Sequence, residues 1–290
     1  MPADLHLHST ASDGSDAPAV VVRRVAAAGL SAMALADHDT MDGVAEAMSE
    51  AERTGILCIP AVEYSTLDDE REIHMLGYGL DPDDPALKRE LRRLSAGRFN
   101  RALLMVEKLN ELGVEVTWER VQEIAGDENV GRPHVAKAMQ EAGYIREIKE
   151  AFTEEWIANG GRAYVERVKI TPEESIAQIR GAGGIAVLAH PGRFRSDDDT
   201  IGDDVIERYI GAGLEGIEVF YSRHTPAMEA HYRSIAERHG LVMTGGSDDH
   251  GTNAEPLLGR IQLPDEYVTR LTAAIGVSRR RKAVSVTAHA

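Results

Sequence analysis

Cysteine is nearly missing: Cys58 is the only one in 290 residues. No disulfide can form within one chain, and a reducing compartment is expected. Long apolar runs are missing too. The chain has no stretch of about 18 consecutive apolar residues, which excludes a transmembrane helix and predicts no membrane partner. The N-terminus, Met-Pro-Ala-Asp, shows no basic-then-apolar signal region, so the expected location is cytoplasmic. Gly/Ser-rich linkers and low-complexity segments are also lacking, which argues against independent domains. Positive charge is scarce: 32 Lys and Arg stand against 48 Asp and Glu, a formal net charge of −16. Such a surface repels long duplex nucleic acid, whose non-specific binding depends on cationic side chains neutralising phosphates. Much of the acidity is solvated surface, as in "DPDDP" at 81–85 and "SDDDT" at 196–200.

Hydrophobic residues make up 43%, enough for a sizeable core. Short apolar segments alternate with helical ones. "ADLHLH", "AMALADH", "ILCIPAVEYS" and "EIHMLGYGL" read as four strands. "APAVVVRRVAAAGL", with Asp16 as N-cap and Pro18 in the first turn, and "TMDGVAEAMSEAERTG" read as helices. Residues 85–112 read as a long charged helix, and the strand rhythm lapses from Gly97 to Ile170. It resumes at "TPEESIAQIRGAGG", where Thr171, Pro172 and Glu174 form a capping-box start. Then follow "GIAVLAHPG", a helix near 201–212, "GIEVFYS", a helix near 225–239 and "LVMTGGSDDH". The last 30 residues look less regular, with "RRRK" at 279–282 as a solvated basic tail. Alternating strands and helices predict an α/β fold with a parallel sheet. The irregular middle predicts a helical insertion at 97–170, with 1–96 and 171–290 forming one barrel.

The residues with metal-binding chemistry fall at strand ends. These are His6, His8, His38, Glu63, His74, His190, Asp248 and His250, and they take in six of the 11 histidines. In a parallel α/β barrel the C-terminal strand ends converge on one face, where active sites are built. Residues i and i+2 of a strand point the same way, so His6 and His8 reach the interior together while Leu5 and Leu7 face the helices. Asp248 and His250 repeat that spacing. Imidazole and carboxylate suit Zn, Mn or Fe. A cation takes about four to six ligands, so these side chains together with Asp13 imply two or three ions.

"DLHLHSTASDG", "LADHDT", "AVEYS", "IHMLGYG", "VLAHPGR" and "GSDDH" resemble the successive motifs of the PHP (polymerase and histidinol phosphatase) superfamily. The likeness is strongest to its stand-alone bacterial phosphoesterases, which include nucleoside 3′,5′-bisphosphate phosphatases and 5′→3′ exonucleases of short RNA. The resemblance spans nearly the whole chain, including the insertion. It implies a distorted (β/α)7 TIM-like barrel with a trinuclear site. His6, His8, Glu63 and Asp248 would hold the first cation. Glu63 would bridge to a second, completed by His74 and His190, while Asp13, His38 and His250 would hold the third. Manganese is the first expectation, with zinc or iron as alternatives.

The expected chemistry is hydrolysis of a phosphate ester by a hydroxide that Glu63, His190 and Asp248 hold through the metals, since bound cations bring the pKa of water toward neutrality. Asp37 and Asp39 either orient imidazoles or are solvated turn residues. The resemblance places phosphate-contacting arginines at Arg132, beside His134, and at Arg193. The plainer alternative for Arg132 and His134 is a salt bridge or helix cap within the insertion. Glu218 and Tyr221 line the pocket or only pack. His224, His231, His239 and His289 read as surface residues. An insertion over the mouth favours a small phosphorylated partner, such as a nucleotide or short oligonucleotide. The rival readings are phosphatase action on histidinol phosphate or a cyclic sugar phosphate, a non-catalytic metal-binding module, and amidohydrolase-type deacylation. No lysine falls at a strand end to bridge metals as a carbamate, which weakens the last.

Overall fold

A computed structural model describes residues 2–69, 71–126, 130–166, 168, 170–192, 200–251 and 256–288. Seven strands form one sheet in sequence order, β1 (Ala3–Leu7), β2 (Ala32–Leu35), β3 (Leu57–Asp68), β4 (Arg71–Tyr78), β5 (Ile185–Leu188), β6 (Gly216–Tyr221) and β7 (Val242–Gly246). The two edges meet. Asp248 N–H donates to the His6 carbonyl at 2.9 Å and His8 N–H to the Asp249 carbonyl at 3.1 Å, so the sheet is nearly closed into a barrel. Helices surround it, as the resemblance implied for a distorted (β/α)7 barrel.

The sheet is not wholly parallel, contrary to the alternation argument. β3 pairs antiparallel with β4, and β4 antiparallel with β5. Only about two residues, Asp69 and the neighbouring position, separate β3 from β4, too few for a crossover, so the chain must turn back as a hairpin. Asp69 takes a left-handed φ of 53° at that turn. β3 also runs on past Glu63 to Asp68, pairing with β2 over Leu57–Pro60 and then with β4.

The flanking helices follow the sequence signals closely. α1 (Pro18–Ala27) begins on its proline, although its N-cap is Ala17 with no side-chain cap. Asp16 instead accepts a hydrogen bond from Arg24 at 2.7 Å, which holds the β1–α1 loop to the helix. α2 (Val44–Thr54) ends on Gly55 in the left-handed region, the usual C-terminal stop. Met33 and Leu35 of β2 pack with Val21, Val22 and Ala47 of these helices, while Ala32 and Ala34 join the main core.

α3 (Pro85–Glu111) is capped by Asp84 and leads to α4 (Trp118–Ala125), α5 (Arg132–Glu141) and α6 (Ile148–Ala151). This region has its own apolar cluster, including Met105, Leu109, Val121, Val135, Met139 and Ile157. α7 (Pro172–Gly181) starts on the capping box, with Thr171 Oγ accepting from Glu174 N–H at 3.2 Å and Glu174 accepting from Thr171 N–H at 2.8 Å. α8 (Asp203–Ala212) and α9 (Pro226–His239) complete the ring.

The C-terminal stretch is a helix, α10 (Asp265–Ala288), rather than an irregular tail. Leu271 and Ile275 give it an apolar face in the main core. The "RRRK" run on it makes specific contacts. Arg279 donates to the Gly79 carbonyl at 2.9 Å, and Lys282 pairs with Asp84 at 2.5 Å. Gly79 has φ +73°, and a Cβ there would stand 2.4 Å from Ile275 Cγ2, so both backbone and packing demand glycine.

Candidate metal centre

β1 is entirely buried, and His6 and His8 both turn into the barrel. His8 Nε2 lies 3.3 Å from Glu63 Oε2 and 3.1 Å from Asp248 Oδ1. His6 Nε2 lies 3.4 and 3.6 Å from the same two oxygens. Glu63 turns its other oxygen, Oε1, to His74 Nδ1 at 2.8 Å and His190 Nε2 at 3.0 Å. Around Asp13, His250 Nε2 stands at 3.4 Å, and His8 Nδ1 and His38 Nε2 at 3.9 Å. Three sets of ligand atoms therefore lie within 4.8 Å of one another: His6, His8, Glu63 and Asp248; His8, Asp13, His38 and His250; and His38, Glu63 and His74.

His74 reaches this face for a reason the parallel reading missed. It sits near the beginning of β4, and because β4 is reversed, its start shares the end of the barrel where the parallel strands finish. Asp248 and His250 do not continue a strand, since β7 stops at Gly246. Asp248, at φ +59°, joins the His6 set, while His250 turns to Asp13. His190 has φ +27° and Asp39 φ +55°. Non-glycine residues in this region store backbone strain and cluster at functional sites.

The donor set fits divalent cations. Four fully buried atoms, His6 Nε2, His8 Nδ1, His8 Nε2 and Glu63 Oε2, make no hydrogen bond. A buried polar atom without a partner costs about 1–3 kcal/mol, and a coordinated cation removes that cost for several at once. The electrostatics agree. Burial pulls the His6 imidazole down, but Glu218, Glu63 and Asp248 outweigh it and raise it well above its usual value. His250 is likewise raised, to about 10, by Asp13 against burial. Burial would push Asp13 and Glu63 up, but the surrounding imidazoles hold both well below the usual carboxylate range. The raised His6 and His250 imidazoles face depressed carboxylates, and a bound cation would compete with their protons.

A second ring of buried groups orients the first. Glu218 Oε1 faces His6 Nδ1 at 3.1 Å, and Glu218 Oε2 accepts the His190 N–H at 2.8 Å. Tyr221 OH donates to Asp248 Oδ2 at 3.1 Å. Both residues are therefore tied to the cluster rather than merely packed. Asp4 accepts from Ser247 N–H at 2.9 Å, and burial pushes it up to about 7. Asp37 and Asp39 are 1% and 2% exposed, which rules out solvated turn residues. Asp37 accepts from Ser9 N–H, Ser9 Oγ and Ser12 Oγ, each at 2.7 Å, and so shapes the loop that carries Asp13.

Beside the cluster lies a cavity of about 360 Å³. Asp13, His38, Glu72, His74, Arg98, Arg101, Arg132 and Phe152 are among the residues that line it. Arg132 Nη2 donates to Glu72 Oε2 at 3.0 Å, and Glu72 Oε1 lies 3.2 Å from His74 Nε2. His134 Nδ1 accepts the Gly131 N–H at 3.0 Å, an α5 start contact. Arg193 lies outside the described residues, as does His289. His224 is half-buried, not a surface residue: its Nε2 accepts from Gly192 N–H at 3.2 Å and its Nδ1 faces the Val219 carbonyl at 2.9 Å. His231 pairs with Asp203 and His239 with Glu207. Sequence reasoning missed Arg98 and Arg101, because they sit inside a long helix rich in arginines that otherwise face solvent.

The PHP domain family profile matches residues 4–190, nearly two thirds of the chain and all the cluster but Asp248 and His250. The chain belongs to the PHP family. Three relatives match over most of their length. The 3′,5′-nucleoside bisphosphate phosphatase of Chromobacterium violaceum is 35% identical over 252 residues, covering 85% of this chain and 86% of the relative. The phosphoribosyl 1,2-cyclic phosphate 1,2-diphosphodiesterase of Eggerthella lenta is 34% identical, covering 87% and 95%. The 5′-3′ exoribonuclease Rnm of Escherichia coli is 32% identical, covering 85% and 84%. A crystal structure from Bifidobacterium adolescentis, provisionally described as a metal-dependent phosphoesterase, superposes with TM-score 0.86 at 31% identity, covering 94% of this chain and 98% of that one. The chain is a metal-dependent phosphoesterase of the PHP family. Among the described residues no helix is long and apolar enough to cross a membrane.

Proposed function

We propose that this PHP phosphoesterase acts on small nucleotides, removing a phosphate from a nucleoside 3′,5′-bisphosphate or the 5′-terminal nucleotide from short RNA. The observation that carries the reading is the arginine-lined cavity opening directly on the His/Asp/Glu cluster. In this reading His6, His8, Glu63 and Asp248 hold one divalent cation. Glu63, His74 and His190 hold a second. Asp13, His38 and His250 would hold a third. Manganese is the proposed metal. Bound cations supply Lewis acidity and bring water's pKa toward neutrality. The chain's own groups orient the site: Glu218 fixes the His6 ring and Tyr221 fixes Asp248.

Arg132 is the proposed grip on a second phosphate. Its planar donor fork suits a phosphate's oxygens. Its present partner is the half-exposed Glu72, so a phosphate competes with one carboxylate rather than with a buried pair. A cavity of about 360 Å³ lies at the small end of ligand sites, which favours a mononucleotide or a strand end over a duplex interior. The excess of 48 acidic over 32 basic residues in the chain favours the same choice, and a cytoplasmic location is part of this proposal.

The similarity to a cyclic phosphodiesterase supports a second reading, hydrolysis of a cyclic sugar phosphate. One panel tests both. Metal-stripped protein is reloaded with Mn²⁺ and offered adenosine 3′,5′-bisphosphate, a 5′-phosphorylated RNA trimer, histidinol phosphate and ribose 1,2-cyclic phosphate. The nucleotide substrates should give the highest kcat/KM. Faster turnover of histidinol phosphate or the cyclic ester sinks the proposal.

A further inference from the structure

Arg98 lines the cavity, yet two of its five donors are engaged on the barrel side. Nε donates to Asp39 Oδ2 at 2.7 Å and Nη2 to Ser65 Oγ at 2.6 Å. Asp39 Oδ1 in turn accepts the Ser65 N–H at 2.9 Å, and Asp39 N–H donates to the Glu63 carbonyl at 3.0 Å. Ser65 Oγ then lies 3.2 Å from His38 Nδ1. An unbroken chain of contacts thus runs from a helix outside the barrel to one imidazole of the metal cluster.

That imidazole has two ways to serve. Its Nδ1 lies toward Glu63 and His74, and its Nε2 toward Asp13 and His250. Guanidinium is a donor only, so Ser65 Oγ accepts from Arg98 and keeps a second lone pair. His38 Nδ1 faces that hydroxyl and, at 3.1 Å, Glu63 Oε2, an acceptor. Glu63 Oε2 can only accept, and Ser65 Oγ, which can donate or accept, offers its free lone pair, so a proton on Nδ1 satisfies both contacts.

We propose that Arg98 and Ser65 are positioning residues that fix His38 as the Nδ1–H tautomer, dedicating Nε2 to the cation held with Asp13 and His250. The choice separates two overlapping ligand sets: His38 goes to the Asp13 set, and Glu63 is left to His74 and His190. Two donors of Arg98 thereby serve the barrel side rather than a substrate. Asp39 holds this arginine, with its own backbone kept at φ +55°. This rests on the metal-binding reading above, but not on which phosphate ester is hydrolysed.

The test uses the full chain, metal-stripped, with Ser65→Ala, Ser65→Thr, Arg98→Met and the double variant Ser65→Ala with Arg98→Met. Ser65→Ala leaves the Arg98–Asp39 pair intact and so preserves the fold if Arg98→Met does not. Calorimetric titration with Mn²⁺ and Zn²⁺ should show the weakest-held cation bound about 10–100-fold less tightly in Ser65→Ala, the usual effect of removing a ligand's hydrogen-bonding partner. Ser65→Thr should restore it. In the Zn²⁺-loaded protein, two-bond ¹H–¹⁵N spectra of the imidazoles should show His38 protonated at Nδ1 in the natural chain and a tautomer mixture in Ser65→Ala. If the two residues act as one unit, the double variant loses no more than Ser65→Ala alone. Unchanged affinity for every cation with an unchanged His38 spectrum overturns the proposal, and additive losses remove Arg98 from it. A chain that binds cations as described but hydrolyses no phosphate ester would sink the functional reading and leave this one standing.

Discussion

Glu218→Gln isolates one contact of the cluster. Glu218 is fully buried, accepts the His190 N–H at 2.8 Å and faces His6 Nδ1 at 3.1 Å. Glutamine keeps the shape and one carbonyl oxygen. That oxygen can still accept from His190, but the amide then turns its NH2 toward His6 Nδ1–H, donor against donor. If the amide flips, His6 is served and the His190 N–H is orphaned. Either way one of two contacts is lost. Loss of such a partner typically costs 10–100-fold in metal affinity, or about 1.4–2.7 kcal/mol. Titration of the metal-stripped variant with Mn²⁺ measures this directly. Melting in EDTA checks the fold, because one lost hydrogen bond of about 1 kcal/mol should move Tm by only about 2–4 °C in a chain of this size. Affinity within twofold of the natural chain, with the fold intact, would refute the claim that Glu218 positions His6.

Three further outcomes are expected. Gly246→Ala places a methyl 2.3 Å from His6 Cβ and 2.5 Å from its backbone N, so β1 must shift; urea unfolding should show a loss of about 1–3 kcal/mol, together with weaker metal binding. Burial pushes the Cys58 thiol up to about 11. Its labelling by a disulfide reagent should rise about tenfold per pH unit from 7 to 10 and stay far below that of the unfolded chain. The unfolded thiol ionises first, near pH 8.5, so stability should be unaffected below that pH and fall between it and about 11. Chelation should lower Tm, and Mn²⁺ at about 100 times its Kd should restore about 2.7 kcal/mol, measured by scanning calorimetry.

The cluster was legible because its residues answer to local rules. His6 and His8 are set by strand alternation, and Thr171, Pro172 and Glu174 mark a helix start that formed as read. The reversal of β4 was not legible. "EIHMLGYGL" has the composition of a strand in either direction, and only the two-residue gap after Asp68 carried the signal. The C-terminal helix was hidden because its residues in the main core, Tyr267, Val268, Leu271 and Ile275, lie in its first half and a charged run follows them. Arg98 was hidden for the opposite reason. It stands among other charged residues on a long helix, and nothing in the sequence marks which of them turns inward. Glu218 and Tyr221 stand at odd spacing on β6 yet both end beside the cluster; the register shift between Glu218 and Phe220 makes that possible, and no sequence pattern announces it, so their names were legible but not their roles.

The reversed β4 also sets a length. It delivers the chain to Gly79, at the end of the barrel away from the His/Asp/Glu cluster, so α3 must climb the outside to bring Arg98 level with Ser65. From Pro85 to Arg98 is 13 steps, about 20 Å at 1.5 Å per residue, and each step also turns the helix by about 100°. That segment is a ruler and a protractor together. One residue added or removed below Arg98 would change its height only slightly, yet would swing the guanidinium to a different face. The relatives of this chain should therefore vary freely in the composition of that segment but not in its count.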